Sequence, residues 1–222
     1  MSTKIVAIIG ATGMIGGYLL EELLNNPAIE TIRVIVRRPF EQKHAKLETK
    51  LVDFNDYESL KLAIDGCDML FCTIGTTQKN VKGDKALYRK IDFDIPVKAA
   101  RICKETGCEV FAIVSSVGAN SKSNNFYLKL KGEVEDALSQ SGLKSIHIMQ
   151  PSQLLGDRKE NRPAEKFFKG IMKVMSPVLT GSLAKYKPIH GRDVAKAMIN
   201  AAKNGQKGIH RYSYNEMIIL AS

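Results

Sequence analysis

The chain has no tryptophan, and aromatic residues make up only 7% of its 222 positions. A nucleic-acid binder of the stacking kind needs aromatics interleaved with a basic block. Here lysines and arginines are dispersed, so no nucleic-acid partner is expected. The four cysteines, Cys67, Cys72, Cys103 and Cys108, form no CxxC pair and share no His/Cys ligand spacing. That argues against a zinc module and leaves buried, reduced thiols; no metal is expected. The apolar run IVAII near the start is too short for a signal segment or a membrane span. A cytoplasmic protein without a membrane partner is the expectation. No linker, low-complexity tract or internal repeat divides the chain, which reads as a single domain over 1–222.

What the sequence does have is basic charge, unevenly placed. The formal net charge is +10, with 20 Lys+Arg against 18 Asp+Glu in residues 1–150 and 13 against 5 in residues 151–222. An excess of this kind attracts an anionic partner. With no basic block, an anionic cofactor or small substrate fits better than a polymer.

Short β-branched runs alternate with helical stretches. KIVAIIG, TIRVIVRR, KLVDF, DMLFCTIG, EVFAIVSS, LKSIHIMQP and GIHRYSY read as strands. Helices are expected between them, including a long one over 84–106 that Pro96 would kink or interrupt, one over AEKFFKGIMKVM and one over RDVAKAMINAAK. The predicted fold class is α/β, a doubly wound parallel sheet with helices on both faces. Residues 151–190 are expected to form a small substrate lobe.

GATGMIG, from Gly10 to Gly16, follows the first strand and opens the first helix. Gly10 permits a tight turn, Gly13 lets the backbone approach a pyrophosphate, and Gly16 lets the helix pack close to the sheet. The helix N-terminus then offers N–H groups to phosphate oxygens. The second strand ends in Arg37-Arg38, where an acid would bind the ribose 2′-hydroxyl of NAD(H). Two guanidiniums suit a 2′-phosphate, so NADP(H) is favoured over NAD(H). Asp53 and Phe54 end the third strand at the adenine rim; Asp53 is either an acceptor for the adenine amino group or a helix cap. Cys72, Thr73 and Gly75 end the fourth strand, where ligands bind outside the strand C-termini.

SNNFYLKLKGEVEDAL carries Tyr127 and Lys131. At about 100° per residue, Lys131 lies about 40° from Tyr127, on one stripe with Leu130, Val134 and Leu138. Lys129 falls on the opposite, solvated face. A lysine on a core stripe needs a partner, because burying an unpaired ammonium is costly. A catalytic role gives it one. Tyr127 would donate a proton to a carbonyl, a nearby ammonium favours its phenolate, and Ser116 at the end of the fifth strand would hydrogen-bond the carbonyl oxygen.

These residues resemble the short-chain dehydrogenase/reductases of the extended or atypical kind. Ser116 with Tyr127-x-x-x-Lys131 matches that family's Ser–Tyr–Lys constellation, and GATGMIG its GxxGxxG loop. SSVGANSKSNNFYLKLKGEVE and QPSQLLGDRKENRPAE look most like the Tat-interacting-protein-like oxidoreductases. The resemblance implies a Rossmann domain binding NADP(H). Gly10, Thr12, Gly13, Met14 and Ile15 would line the phosphates, and Arg37 and Arg38 the 2′-phosphate. Ser115, Tyr127, Lys131, Pro151 and Ser152 would stand on the nicotinamide side. Many extended members carry Arg before that proline; this chain has Gln150, which speaks against a particular nucleotide-sugar substrate.

Asp157, Arg158, Glu160, Arg162 and Glu165 crowd the next loop, either as a substrate entrance or as a salt-bridged surface. His190 would line the cleft or start a helix, with Arg192 and Asp193 capping and tethering that helix. The implied function is an NADP(H)-dependent oxidoreductase acting on a small carbonyl or alcohol, anionic ones included, as monomer or homodimer. The alternative is a redox-sensing NADP(H)-binding protein that acts through a protein partner with little turnover.

Overall fold

The run KIVAII forms β1 (Lys4–Ile9), and its last four residues are buried on both faces. A strand without alternation belongs at the centre of a parallel sheet covered on both sides. The computed structural model describes residues 4–156 and 181–222, and there β1 does lie at the centre. Strands β2 (Ile29–Val36), β3 (Leu47–Leu51), β4 (Met69–Cys72), β5 (Val110–Val114), β6 (Ser145–Met149) and β9 (Gly208–Tyr212) join it in the order β3-β2-β1-β4-β5-β6-β9, every pair parallel. The chain runs outward from β1 to β3, returns to β4, and runs outward again. That reversal is the switch point at which such sheets bind ligands. Two short strands, β7 (Leu154–Leu155) and β8 (Ile189–His190), pair as a separate ribbon.

Side chains leave the sheet alternately into two cores. Val6, Ile8 and Val34 pack with Leu19, Leu20 and Leu23 of α1 (Met14–Leu24) and with Val194, Ala195 and Met198 of α6 (Gly191–Lys203). Ala7, Ile9 and Ile35 point the other way, onto α2 (Tyr57–Ile64), α4 (Ile95–Thr106) and α5 (Phe126–Ser139). All four cysteines are free and buried in this second core. Burial pushes the Cys67 and Cys72 thiols up to about 12, so both stay protonated and unreactive.

The structure refines the expected elements at several points. The third strand is Leu47–Leu51 rather than KLVDF. It is an edge strand with mixed exposure, so its apolar signal is weak, and Val52 is buried just after it ends. The long helix expected over 84–106 is interrupted just before Pro96, as expected: α3 (Lys85–Arg89) passes through a π-helical turn at Lys90–Asp94 into α4. Ile95 N–H donates to Lys90 O, five residues back, and Pro96, which has no N–H, follows at the head of α4. A terminal helix α7 (Tyr214–Ala221) continues past the last strand, opened by a capping box between Ser213 and Glu216. The helix expected over AEKFFKGIMKVM and the charged loop from Asp157 to Glu165 lie outside the described residues. No helix among the described residues is long and apolar enough to cross a membrane.

Candidate active site

The glycine loop is built as its spacing requires. Gly10 sits at φ +95°, and a Cβ there would lie 2.8 Å from the backbone of Thr73 and Ile74. A Cβ on Gly16 would lie 2.1 Å from Gly10 O. Gly13 N–H donates to Gly10 O at 3.0 Å, and Thr73 Oγ1 donates to the same carbonyl at 3.1 Å. Gly13 is the N-cap of α1, with no side-chain cap and no acid in the first turn. The helix therefore presents its N–H groups and positive dipole end without an internal anion. Thr12 and Gly13 are exposed beside it, Met14 is half-buried and Ile15 is buried. Such a loop fits a dinucleotide pyrophosphate.

Just past the neighbouring strand β2, which pairs with β1 up to Ile9–Ile35, Arg37 and Arg38 are exposed and form no ion pair with another described residue. Asp53 is exposed and accepts from Asn55 N and Nδ2, both at 2.8 Å. It is not the helix cap: Asp56 is, accepting from Glu58 N at 3.0 Å. Phe54 packs against the second core. Cys72 faces that core, so any approach to a ligand there uses its backbone. Thr73 is spent on bracing Gly10, and Gly75 faces Asp92.

Tyr127 and Lys131 both lie on α5. Asn125 caps α5, accepting from Tyr127 N and Leu128 N. The helix follows β5 and starts at the C-terminal rim of the sheet. Lys131 is 6% exposed, and Lys129 is exposed, as the helical wheel requires. Tyr127 departs from the expected buried stripe and keeps 38% of its surface exposed. It occupies the first turn of α5, directly after the Asn125 cap.

Sequence reasoning missed the partner of Lys131. Its Nζ lies 3.2 Å from Asp92 Oδ1, and Asp92 is 1% exposed. Asp92 Oδ2 accepts from Thr76 N at 2.8 Å. Both carboxylate oxygens act as acceptors, the arrangement of an ionised group. Burial alone would lower the Lys131 pKa; the charge of Asp92, with a smaller contribution from Tyr127, reverses this, and the net shift is upward. Burial also raises Asp92, more than Lys131 and the Thr76 N–H lower it. The lysine is a fixed cation, its Nζ 6.0 Å from the centre of the Tyr127 ring.

Ser116 is half-buried just past β5, its hydroxyl donating to Val117 O at 3.3 Å. The loop after it is locked to α5. Asn120 N donates to Leu128 O at 3.0 Å, and a Cβ on Gly132 would lie 2.1 Å from Ser121 N. Ser115 is buried and spends its hydroxyl on Glu135. Pro151 O accepts from Val117 N at 3.0 Å, and Ser152 Oγ donates to Lys187 O. His190 caps α6, its Nδ1 accepting from Arg192 N at 3.2 Å. Arg192 tethers that helix to α1 through Glu21 at 2.8 Å and Glu22 at 2.7 Å. The cap is thus the histidine rather than Arg192 or Asp193.

A family model described as NAD(P)H-binding matches residues 10–205. The chain belongs to this NAD(P)H-binding family. Its branch is the extended or atypical short-chain dehydrogenase/reductases. It is 34% identical over 175 residues to Protein HTATIP2 of Rattus norvegicus, covering 76% of this chain and 72% of the relative. With Protein FMP52, mitochondrial, of Candida albicans, identity is 32% over 219 residues, covering 96% and 93%. Among solved structures it is similar to the Bordetella bronchiseptica enzyme WbmH in complex with NAD+, with a TM-score of 0.73 and 17% identity, covering 95% and 76%. It is also similar to alfalfa vestitone reductase, with a TM-score of 0.67 and 18% identity, covering 95% and 76%. At such identities the structures speak for the Rossmann-type fold. The NAD(P)H-binding family and the built phosphate loop together make this chain a nicotinamide-dinucleotide protein.

Proposed function

We propose that this chain is an NADP(H)-dependent oxidoreductase that moves a hydride to or from a small carbonyl or alcohol, anionic ones included. The observation that supports it most is a buried ammonium, held by Asp92, beside an exposed tyrosine at the ligand-binding rim. A fold needs no such arrangement, since an apolar residue at position 131 would pack more cheaply. The bound cofactor supplies or accepts the hydride. Tyr127 gives a proton to the carbonyl oxygen in reduction and recovers it in oxidation. Lys131 favours negative charge on the phenol oxygen, and Ser116 donates to the substrate oxygen as charge develops.

Gly10, Thr12, Gly13, Met14 and Ile15 hold the pyrophosphate, Arg37 and Arg38 the 2′-phosphate, and Asp53 and Phe54 the adenine. Cys72, Thr73 and Gly75 border the dinucleotide, and Pro151 and Ser152 the nicotinamide. One domain spans the chain in this reading, with residues 151–190 as its substrate lobe, working as a monomer or homodimer. It places the protein in the cytoplasm. The fungal relatives' names say mitochondrial, and subcellular fractionation decides between the two.

One observation favours a second reading. Asp92 already neutralises Lys131, which weakens the field that the ammonium exerts on Tyr127. A redox sensor that binds NADP(H) and acts through a protein partner needs the cofactor site and no acid. The test is NADPH consumption over a panel of small aldehydes and ketones, with NADPH and NADH affinities measured alongside. Turnover of any compound supports the enzyme. Tight NADPH binding with no turnover across the panel supports the sensor, and absence of binding overturns both.

A further inference from the structure

Glu135 lies one helical turn beyond Lys131 on α5 and is 4% exposed. Its carboxylate accepts from three places. Ser115 Oγ, just past β5, donates to Oε1 at 2.6 Å. Gln150 Nε2, just past β6, lies 2.9 Å from Oε1 and 3.1 Å from Oε2. Arg211 Nε, in β9, donates to Oε2 at 2.8 Å. The strands are in register there: Val114 pairs with Met149, and Ile148 with Arg211. One buried carboxylate thus ties a helix to the ends of three adjacent strands.

Apolar packing already holds α5 to the sheet, through Val134 and Leu138. A buried carboxylate is a costly way to add adhesion. What it adds is direction, because charge-assisted hydrogen bonds fix the rotation and height of a helix as apolar contacts do not. Two of its partners adjoin residues of the proposed site. Ser115 precedes Ser116, and Gln150 precedes Pro151 and Ser152. The helix it fixes carries Tyr127 and Lys131.

We propose that Glu135 is a positioning residue for the nicotinamide half of the site, clamping the Ser116, Tyr127–Lys131 and Pro151–Ser152 segments into one frame through Ser115, Gln150 and Arg211. The proposal rests on the cofactor reading above. It leaves the glycine loop and Arg37-Arg38, at the other half of the sheet, untouched.

The test separates the two halves by ligand. NADPH spans both; 2′,5′-ADP carries only the adenosine and 2′-phosphate end. Both are titrated calorimetrically into wild type, Glu135→Gln and Ser115→Ala, with melting temperature recorded. Glu135→Gln is expected to weaken NADPH by ~tenfold and to leave 2′,5′-ADP within about twofold. Ser115→Ala, which leaves no buried charge unpaired, is expected to move NADPH alone by about threefold and carries the test if the first variant does not fold. Equal loss of both ligands, or loss of neither, overturns the proposal and makes the network structural glue. Wild type that binds neither ligand instead overturns the cofactor reading, and this proposal with it.

Discussion

Asp92→Asn is the most informative single change. The substitution keeps an oxygen for Thr76 N–H and removes the charge opposite Lys131. At 3.2 Å, the attraction being removed is about 5 kcal/mol at an effective dielectric of about 20. Desolvation of both groups offsets most of it in the intact pair, so the pair adds little net stability. The variant does not regain that desolvation, because Lys131 stays buried at 6% exposure. Breaking a buried pair from one side costs about 3–5 kcal/mol. For a chain of this size that is a drop in melting temperature of about 10 °C. The assay is urea and thermal unfolding of wild type, Asp92→Asn, Lys131→Met and the double variant. The double variant should recover much of the loss, since no lone charge remains, giving a coupling of about 2 kcal/mol or more. If Asp92→Asn lies within about 0.5 kcal/mol of wild type, as a surface change would, the buried-pair argument is refuted.

Three further outcomes follow from the same structure. His147 is fully buried between Ser145 Oγ and Tyr212 Oη, and burial, with His210 adding, holds its pKa down to about 4. Its stabilising effect is complete above the ordinary histidine value near 6.5 and is lost as pH falls toward 4, by about 3 kcal/mol. Urea unfolding at pH 7 and 4.5 should show that loss in wild type and lack it in His147→Asn; equal slopes would contradict the assignment. Replacing Arg37 and Arg38 with alanine should weaken 2′,5′-ADP by ~tenfold or more and leave 5′-AMP nearly unchanged by calorimetry; equal effects would remove the 2′-phosphate argument. Gly16→Ala should cost about 3 kcal/mol or more and abolish NADPH binding, because its Cβ meets Gly10 O. Gly17→Ala, where the nearest atom is 3.9 Å away, should be neutral or stabilising by about 0.5–1 kcal/mol.

Local features were legible in the sequence. The phosphate loop needs seven consecutive residues, each glycine answering a contact within its own turn or with Thr73 and Ile74, just past the neighbouring strand β4. Lys131 could be placed inside because α5 is regular from Asn125 onward. β1 was readable because it is apolar on both faces, while the edge strand β3 was not. What stayed hidden depends on distance along the chain. Asp92 meets Lys131 only after a π-helical turn and a strand bring them together, and Arg211 meets Glu135 across 76 residues. The terminal helix was a different failure. Ser213-Tyr-Asn-Glu216 is a capping-box signature, obscured by the strand that runs into it.

Tyr127 is proposed above as the proton donor on a nicotinamide-dinucleotide site. The direct measurement is NADPH consumption by wild type and Tyr127→Phe on whichever small carbonyl the wild type turns over, with NADPH affinity measured in both. The variant should bind NADPH within about twofold of wild type and lose turnover by at least ~100-fold. A variant that binds NADPH equally and keeps its rate would contradict that role.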